Sequence, residues 1–207
     1  MTLGRGFRPS SLRVSRDELA RRGIALCEVA RGGDATYHAP GQLVGYPILD
    51  LAARGEPDVH RYLRRLEAAL GRALAALGVA ARAIPGKTGV FVDDPIRPQP
   101  ARKIASIGVA VRGWVTLHGF ALNVSLDPAE FSVIVPCGLA DVEMTSVARE
   151  LGARAGADLA ARALDVVEAA FLAEFAAVPY HAPACPDGSS RCGARSASGG
   201  SSASTSR

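Results

Sequence analysis

Residues 103–139, KIASIGVAVRGWVTLHGFALNVSLDPAEFSVIVPCGL, restrict the fold more than any other stretch of the chain. The apolar, β-branched runs Ile104–Val111 and Trp114–Val124 flank Arg112-Gly113, a two-residue link that suits a β-hairpin. Pairing Val111 with Trp114 sets Ser106 opposite Gly119 and leaves Lys103 at the same end of the hairpin as Ala121. A polar loop follows, and the pattern then predicts a third strand ending at Cys137. A lysine, a glycine-lined strand end and a cysteine are thereby expected to meet.

A thiol beside an amine has chemical consequences. The thiolate is the nucleophile, and a free cysteine with a pKa of about 8.5 is mostly protonated at neutral pH. A neighbouring ammonium favours the thiolate, while burial lets a lysine give up its proton more readily and act as a shuttle. For an arbitrary pair of this kind, the commoner arrangement is a buried, inert cysteine and a solvated lysine at a strand end.

KIASIG, TLHGFALNV and IVPCGL, in that order, resemble the lipoyl(octanoyl) transferase family. The resemblance implies a cysteine, Cys137, that carries the acyl thioester, and a lysine, Lys103, that lowers its pKa and acts as general acid and base. It further implies an octanoyl-acyl carrier protein donor. The implied acceptors are lipoyl domains of 2-oxoacid dehydrogenase E2 subunits and the glycine cleavage H protein. No cofactor and no metal are implied.

RGGDATYHAPGQL, residues 31–43, extends the resemblance. Gly32-Gly33 permits positive φ and a close backbone approach, so its amides are candidate donors to an acyl carbonyl or a phosphopantetheine arm. Tyr37 and His38 are expected to present polar tips beside an apolar channel. By resemblance Arg31, Gly32, Gly33, Asp34, Ala35, Thr36, Tyr37 and His38 bind the acyl substrate. So do Ser106, Ile107, Gly108, Gly119, Phe120 and Ala121. Ala39 stands where the family usually has glycine; alanine fits the extended conformation favoured before proline.

The implied fold is α+β, a mixed β-sheet flanked by amphipathic helices, as in biotin/lipoyl-protein ligase-like catalytic domains. TLGR normally follows an N-terminal helix and an apolar strand in the family; both are expected to be missing here. Ile24–Val29 reads as a strand with Cys27 in the core, and Leu43–Leu51 as a buried strand with Pro47 marking an edge or bulge. Leu63, Leu66, Leu70, Leu74 and Leu77 predict an amphipathic helix over Val59–Leu77, stopped by Gly78. Arg61, Arg64, Arg65 and Arg72 fall mainly off that stripe and read as a solvated basic face.

GKTGVFV reads as turn and strand; it lacks the upstream glycine and the following helix of a phosphate loop. Residues 93–102 form a proline-rich surface loop. Thr145 or Ser146 can cap a short helix, and residues 157–177 form a second amphipathic helix. The domain reading is a catalytic unit over 1–178 and a disordered Gly/Ser/Ala/Pro-rich tail over 179–207.

The chain has 207 residues, net charge +4 and a pI near 9.1. With 5% aromatic residues and no basic stripe interleaved with them, nucleic acid is not an expected partner. A basic surface also suits an acidic carrier protein. No apolar run spans a bilayer and no export signal opens the chain, so a cytoplasmic site with no membrane partner is expected. The four histidines, His38, His60, His118 and His181, show no metal-ligand spacing. Competing readings are an ATP-dependent lipoate–protein ligase, a Cys137/His118 thioesterase, and a truncated, inert acyl- or carrier-binding remnant.

Overall fold

The computed structural model describes residues 1–92, 101–135 and 142–176. Within them β7 (Arg102–Arg112) and β8 (Val115–Asn123) form the hairpin that the apolar runs predict. Its register is not the expected one. Ser106 pairs with Ala121 and Gly108 with Gly119. The turn is Gly113-Trp114, with φ of 56° and 65°. Positive φ at both central residues is what a type I′ turn demands, and its twist matches that of the strands. A slip of two residues leaves every side chain on its own face, so apolar alternation cannot separate the two registers.

The hairpin sits inside a sheet ordered β4-β8-β7-β6-β5. Here β4 is Gln42–Gly45, β5 Ala81–Ile84 and β6 Lys87–Val92. The short β9 (Glu143–Met144) lies outside that path and runs parallel to β7, beside Arg102 and Lys103. A second sheet is made of three two-residue strands. In it β1 (Thr2–Leu3) lies between β2 (Cys27–Glu28) and β3 (Ala35–Thr36).

One face of the larger sheet is covered by α2 (Val59–Ala76) and α4 (Leu159–Phe175). The Asp58 side chain accepts from the Arg61 amide at the start of α2, and Gly78, with φ of 82°, follows its end. Leu70, Leu74 and Leu77 are buried against Val90, Ile104 and Leu122, and Leu66 is buried in a separate cluster with Leu51, Tyr62 and Phe175. Each such side chain contributes roughly 1.5–3 kcal/mol. Leu63 is only half buried. A smaller helix, α1 (Arg16–Arg21), is capped by Ser15, and α3 (Val147–Leu151) follows β9.

The structure corrects several expectations. Cys27 is exposed, not core. Its strand is an edge, and Ile24 and Leu26 take the inward positions, so alternation turns the thiol out. Leu43–Leu51 is not one buried strand: β4 stops at Gly45, and Val44, Tyr46 and Ile48 are exposed. Pro47 has no N–H to continue the ladder. Instead the buried Thr116 hydroxyl donates to Pro47 O (2.8 Å) and accepts from the Leu49 amide (2.8 Å).

The arginines of α2 are paired rather than merely solvated. Arg61 and Arg65 meet Glu56, Arg64 meets Glu67, and Arg65 and Arg72 both meet Glu174 of α4. Of the predicted third strand, the part within the described residues is a 3-10 turn over Pro128–Val133 and a single bridge between Ile134 and Leu12. Ser146 occupies the cap position of α3 without a side-chain cap bond, and Thr145 Oγ1 donates to Glu150 instead (2.5 Å). Most of the 93–102 loop, Cys137 and the 179–207 tail lie outside the described residues.

Candidate active site

A cavity of about 190 Å³ opens on the pocket face of the β7–β8 hairpin. Alternation divides the hairpin: Ala105 and Leu122 enter the core beneath α2, while Ser106, Gly108, Gly119 and Ala121 line the cavity. Ile107 and Phe120 also contribute to its lining, and the opposite wall is Arg31, Gly33, Asp34, Ala35, Thr36 and His38. Two segments far apart in the chain, singled out separately from the sequence, therefore enclose one space.

Gly32 and Tyr37 are not among the lining residues. The Gly32 amide donates to Val109 O (2.8 Å) and is not available as a donor to a ligand. Gly33 alone of the two glycines has positive φ, at 83°. Tyr37 points into a separate apolar cluster, edge-on to Phe131, and its hydroxyl donates to Glu130 Oε2 (2.5 Å). That hydrogen bond, burial and the Glu130 charge push its phenol up to about 12.

Arg31 is buried and spans the cavity wall. Its Nη2 donates to Thr2 O (2.7 Å) and Thr2 Oγ1 (3.0 Å), and its Nη1 to Gly32 O (3.1 Å). The Asp34 carboxylate accepts from the Ala35 amide (2.7 Å), the Arg8 amide (3.3 Å) and the Ser11 hydroxyl (2.5 Å). It ties the N-terminal segment to the wall rather than offering a free charge to a ligand.

The protonation of His38 follows from its neighbours. Asn123 Nδ2 donates to Thr145 O (2.9 Å), so Asn123 Oδ1 accepts from Gln42 Nε2 (2.9 Å). Gln42 Nε2 also donates to Tyr37 O, leaving Gln42 Oε1 as acceptor for His38 Nδ1 at 3.1 Å. The proton is then on Nδ1, and Nε2 accepts from the Thr2 hydroxyl (3.2 Å), which already receives two bonds from Arg31. Burial, the largest influence, holds the imidazole below its ordinary 6.5, so it is neutral at pH 7.

Lys103 is not among the lining residues. It is fully buried three residues before Ser106, with Nζ donating to Thr88 O (2.9 Å) and 5.5 Å from the Phe91 ring centroid. Cys137 lies outside the described residues. Thr2, Val29, Val44 and Tyr46 line the cavity without having been anticipated, and His118, singled out only in the competing thioesterase reading, lines it as well. The Val44/Tyr46 alternation beside a glycine-rich strand was a usable signal, whereas nothing in the sequence marks Thr2. His118 has φ of 60° and stands edge-on to Tyr46. No group of three or more metal-ligating side chains occurs among the described residues.

This fold is that of lipoate-protein ligases. It matches the bi-partite lipoate protein ligase of Thermoplasma acidophilum with TM-score 0.63 and 22% identity, covering 84% of this chain and 67% of that one. A lipoate-protein ligase A bound with ATP matches with TM-score 0.60 and 20% identity, at 84% and 68% coverage.

By sequence, the chain belongs to the lipoyl protein ligase A/B catalytic domain family, whose model matches residues 1–176. It is 54% identical over 138 residues to an octanoyltransferase of Geobacter sp. (strain M21), covering 67% of this chain and 64% of the relative. It is 50% identical over 157 residues to one of Geobacter sulfurreducens (75% and 60%) and 47% identical over 150 residues to one of Cytophaga hutchinsonii (72% and 61%). The chain thus spans about three-fifths of the length of the curated relatives it matches.

Proposed function

We infer that the chain is an octanoyltransferase that moves an octanoyl group from acyl carrier protein to a lysine of lipoyl domains in the cytoplasm. One observation carries the reading. The two predicted substrate-binding segments wall a single cavity in a chain about half identical to octanoyltransferases over most of its length. The E2 subunits of 2-oxoacid dehydrogenases and the glycine cleavage H protein are the proposed acceptors. The basic charge, +4, suits an acidic carrier as donor. The catalytic unit is read as residues 1–178, with 179–207 an appended tail.

In this reading Cys137 thiolate attacks the carrier thioester, and the ammonium of Lys103 gives its proton to the departing carrier thiolate, which leaves as the thiol. Exchange of one thioester for another is nearly neutral and needs no ATP. Lys103, now an amine, takes a proton from the incoming lipoyl-domain ammonium. The neutral amine attacks the acyl-enzyme, a second proton leaves to solvent, and the amide forms as Cys137 departs as thiolate. Amide formation makes this step downhill. The cavity between Arg31 and the Gly108–Gly119 pair holds the acyl chain.

The test is intact-mass spectrometry after incubation with octanoyl-carrier protein, beside Cys137→Ser. A hydroxylamine-labile octanoyl adduct on the parent, absent from the variant and discharged by a lipoyl domain, is expected. Discharge by water alone would indicate a thioesterase. Transfer that depends on ATP would indicate a ligase, and no adduct on folded protein an inert acyl-binding remnant.

A further inference from the structure

Glu67 is a carboxylate in the wrong place for an amphipathic helix. It lies on the apolar stripe of α2, between Leu63 and Leu70, and is 3% exposed. Its Oε1 accepts from the Gly89 amide at 3.0 Å. Its Oε2 lies 2.6 Å from Arg64 Nη1, an ion pair outside hydrogen-bond angles, so among the described residues that oxygen has no hydrogen-bond partner. Isolated buried carboxylates are costly and persist only with compensating charge.

Arg64 supplies part of that compensation directly, and a second cation, Lys103, is linked to Glu67 through one peptide unit. The N–H of Gly89 and the C=O of Thr88 belong to the same peptide plane; the N–H faces Glu67 and the C=O accepts from Lys103 Nζ at 2.9 Å. A carboxylate on the amide end polarises the carbonyl end and strengthens it as an acceptor for the ammonium. Gly89 is suited to this position. Its φ is 126°, and a Cβ there would come within 2.6 Å of Ala105 O and 2.7 Å of Lys103 Cε. The register shift of β6 between Val90 and Phe91 falls beside it.

We propose that Glu67 is the positioning residue of Lys103, holding its ammonium through the Thr88–Gly89 peptide. The functional half of this rests on the role given to Lys103 above; the coupling itself does not. The charged groups acting on Glu67 are Arg64 from its own helix and Lys103 from β7, and burial raises its carboxyl above the ordinary value.

Two measurements on the full chain test it. The first is a double-mutant cycle in denaturant unfolding on Glu67→Gln, Lys103→Met and the pair, which needs no activity. The loss of midpoint in the double variant is expected to be clearly smaller than the sum of the single losses. Additive losses would overturn the coupling.

The second is the pH profile of octanoyl transfer. Glu67→Gln keeps an acceptor for the Gly89 amide, and its kcat is expected to fall about tenfold, with KM for the donor unchanged and the basic limb moved to lower pH. Arg64→Gln is expected to leave the profile in place. A Glu67→Gln profile like the parent's, or an Arg64→Gln profile that copies Glu67→Gln, would overturn the positioning role. A parent that transfers nothing would count against the transferase reading, while the unfolding cycle would still decide the coupling.

Discussion

Gly108 faces Gly119 across the β7–β8 hairpin, and neither position has room for a Cβ. At Gly108 it would come 2.9 Å from Arg31 Cδ and 3.1 Å from Gly32 O; at Gly119 it would come 2.1 Å from Gly45 O. The hairpin is bare here because Arg31 crosses one glycine and the chain leaving β4 crosses the other. Gly108→Ala is expected to cost about 1–3 kcal/mol, the usual range for overpacking, and to raise KM for octanoyl donor by displacing Arg31. Gly119→Ala meets backbone, which cannot swing aside, and is expected to cost more. Denaturant unfolding and donor kinetics check both.

Thr116→Val keeps shape and removes a hydroxyl that serves both the Leu49 amide and Pro47 O. Tyr62 Oη also donates to Pro47 O (2.9 Å), so the Leu49 amide is left worse off. A loss of about 1–3 kcal/mol is expected in denaturant unfolding, the cost of a buried polar group without its partner. Retention of parental stability would show that water replaces the hydroxyl.

His38 gives the fold a dependence on mild acid. Its folded-state value lies below the ordinary 6.5, so as pH falls the unfolded chain binds the proton first. Stability is expected to decline as pH drops from above 6.5 towards the folded value, and to level off below it. His38→Gln should flatten the unfolding midpoint across that window. An unchanged slope in the variant would assign the dependence elsewhere.

Glu174 joins the two helices. Burial pulls its carboxyl up, but Arg72 and Arg65 outweigh burial and hold it below the ordinary 4.5. Its contribution is therefore complete above pH 4.5 and is lost as pH falls through the folded value. Glu174→Gln is expected to cost about 2 kcal/mol at neutral pH, in the range of hydrogen bonds to charged groups. The difference from the parent should vanish in acid. Thermal melts at pH 7 and pH 3 check the sign.

Cys27 is exposed and lies outside the cavity lining. Cys27→Ser is expected to leave stability within about 0.5 kcal/mol of the parent and transfer unchanged, whereas Cys137→Ser should abolish the acyl adduct. Loss of transfer in Cys27→Ser would require a second functional thiol.

The strongly periodic elements were legible in the sequence. Five leucines at helical spacing gave α2, and two β-branched runs around a glycine gave the hairpin. The register was not legible, because a two-residue slip preserves alternation and the deciding feature is a tryptophan at positive φ. Strands of two residues carry no period, so of the β1–β3 sheet only β2 was foreshadowed, within the Ile24–Val29 run, while β1, β3 and β9 left no trace, and with β1 went Thr2 as a cavity residue. Tyr37 and Gly32 were misplaced because a motif names residues, not the direction in which each one points. Glu67 did leave a signal, a carboxylate on an apolar stripe, but a pattern that counts leucines passes over it.

The alternation of the hairpin also governs which changes in chain length it can absorb. Ala105 and Leu122 serve the helices while Ser106, Gly108, Gly119 and Ala121 serve the cavity. A single-residue insertion within either strand would exchange these roles downstream, placing cavity glycines in the core and leucine in the cavity. A two-residue insertion at Gly113-Trp114 would lengthen the tip and leave both faces in phase. Drift in length among related chains should therefore collect at the turn and be absent from the strands, even though the strands are the longer target.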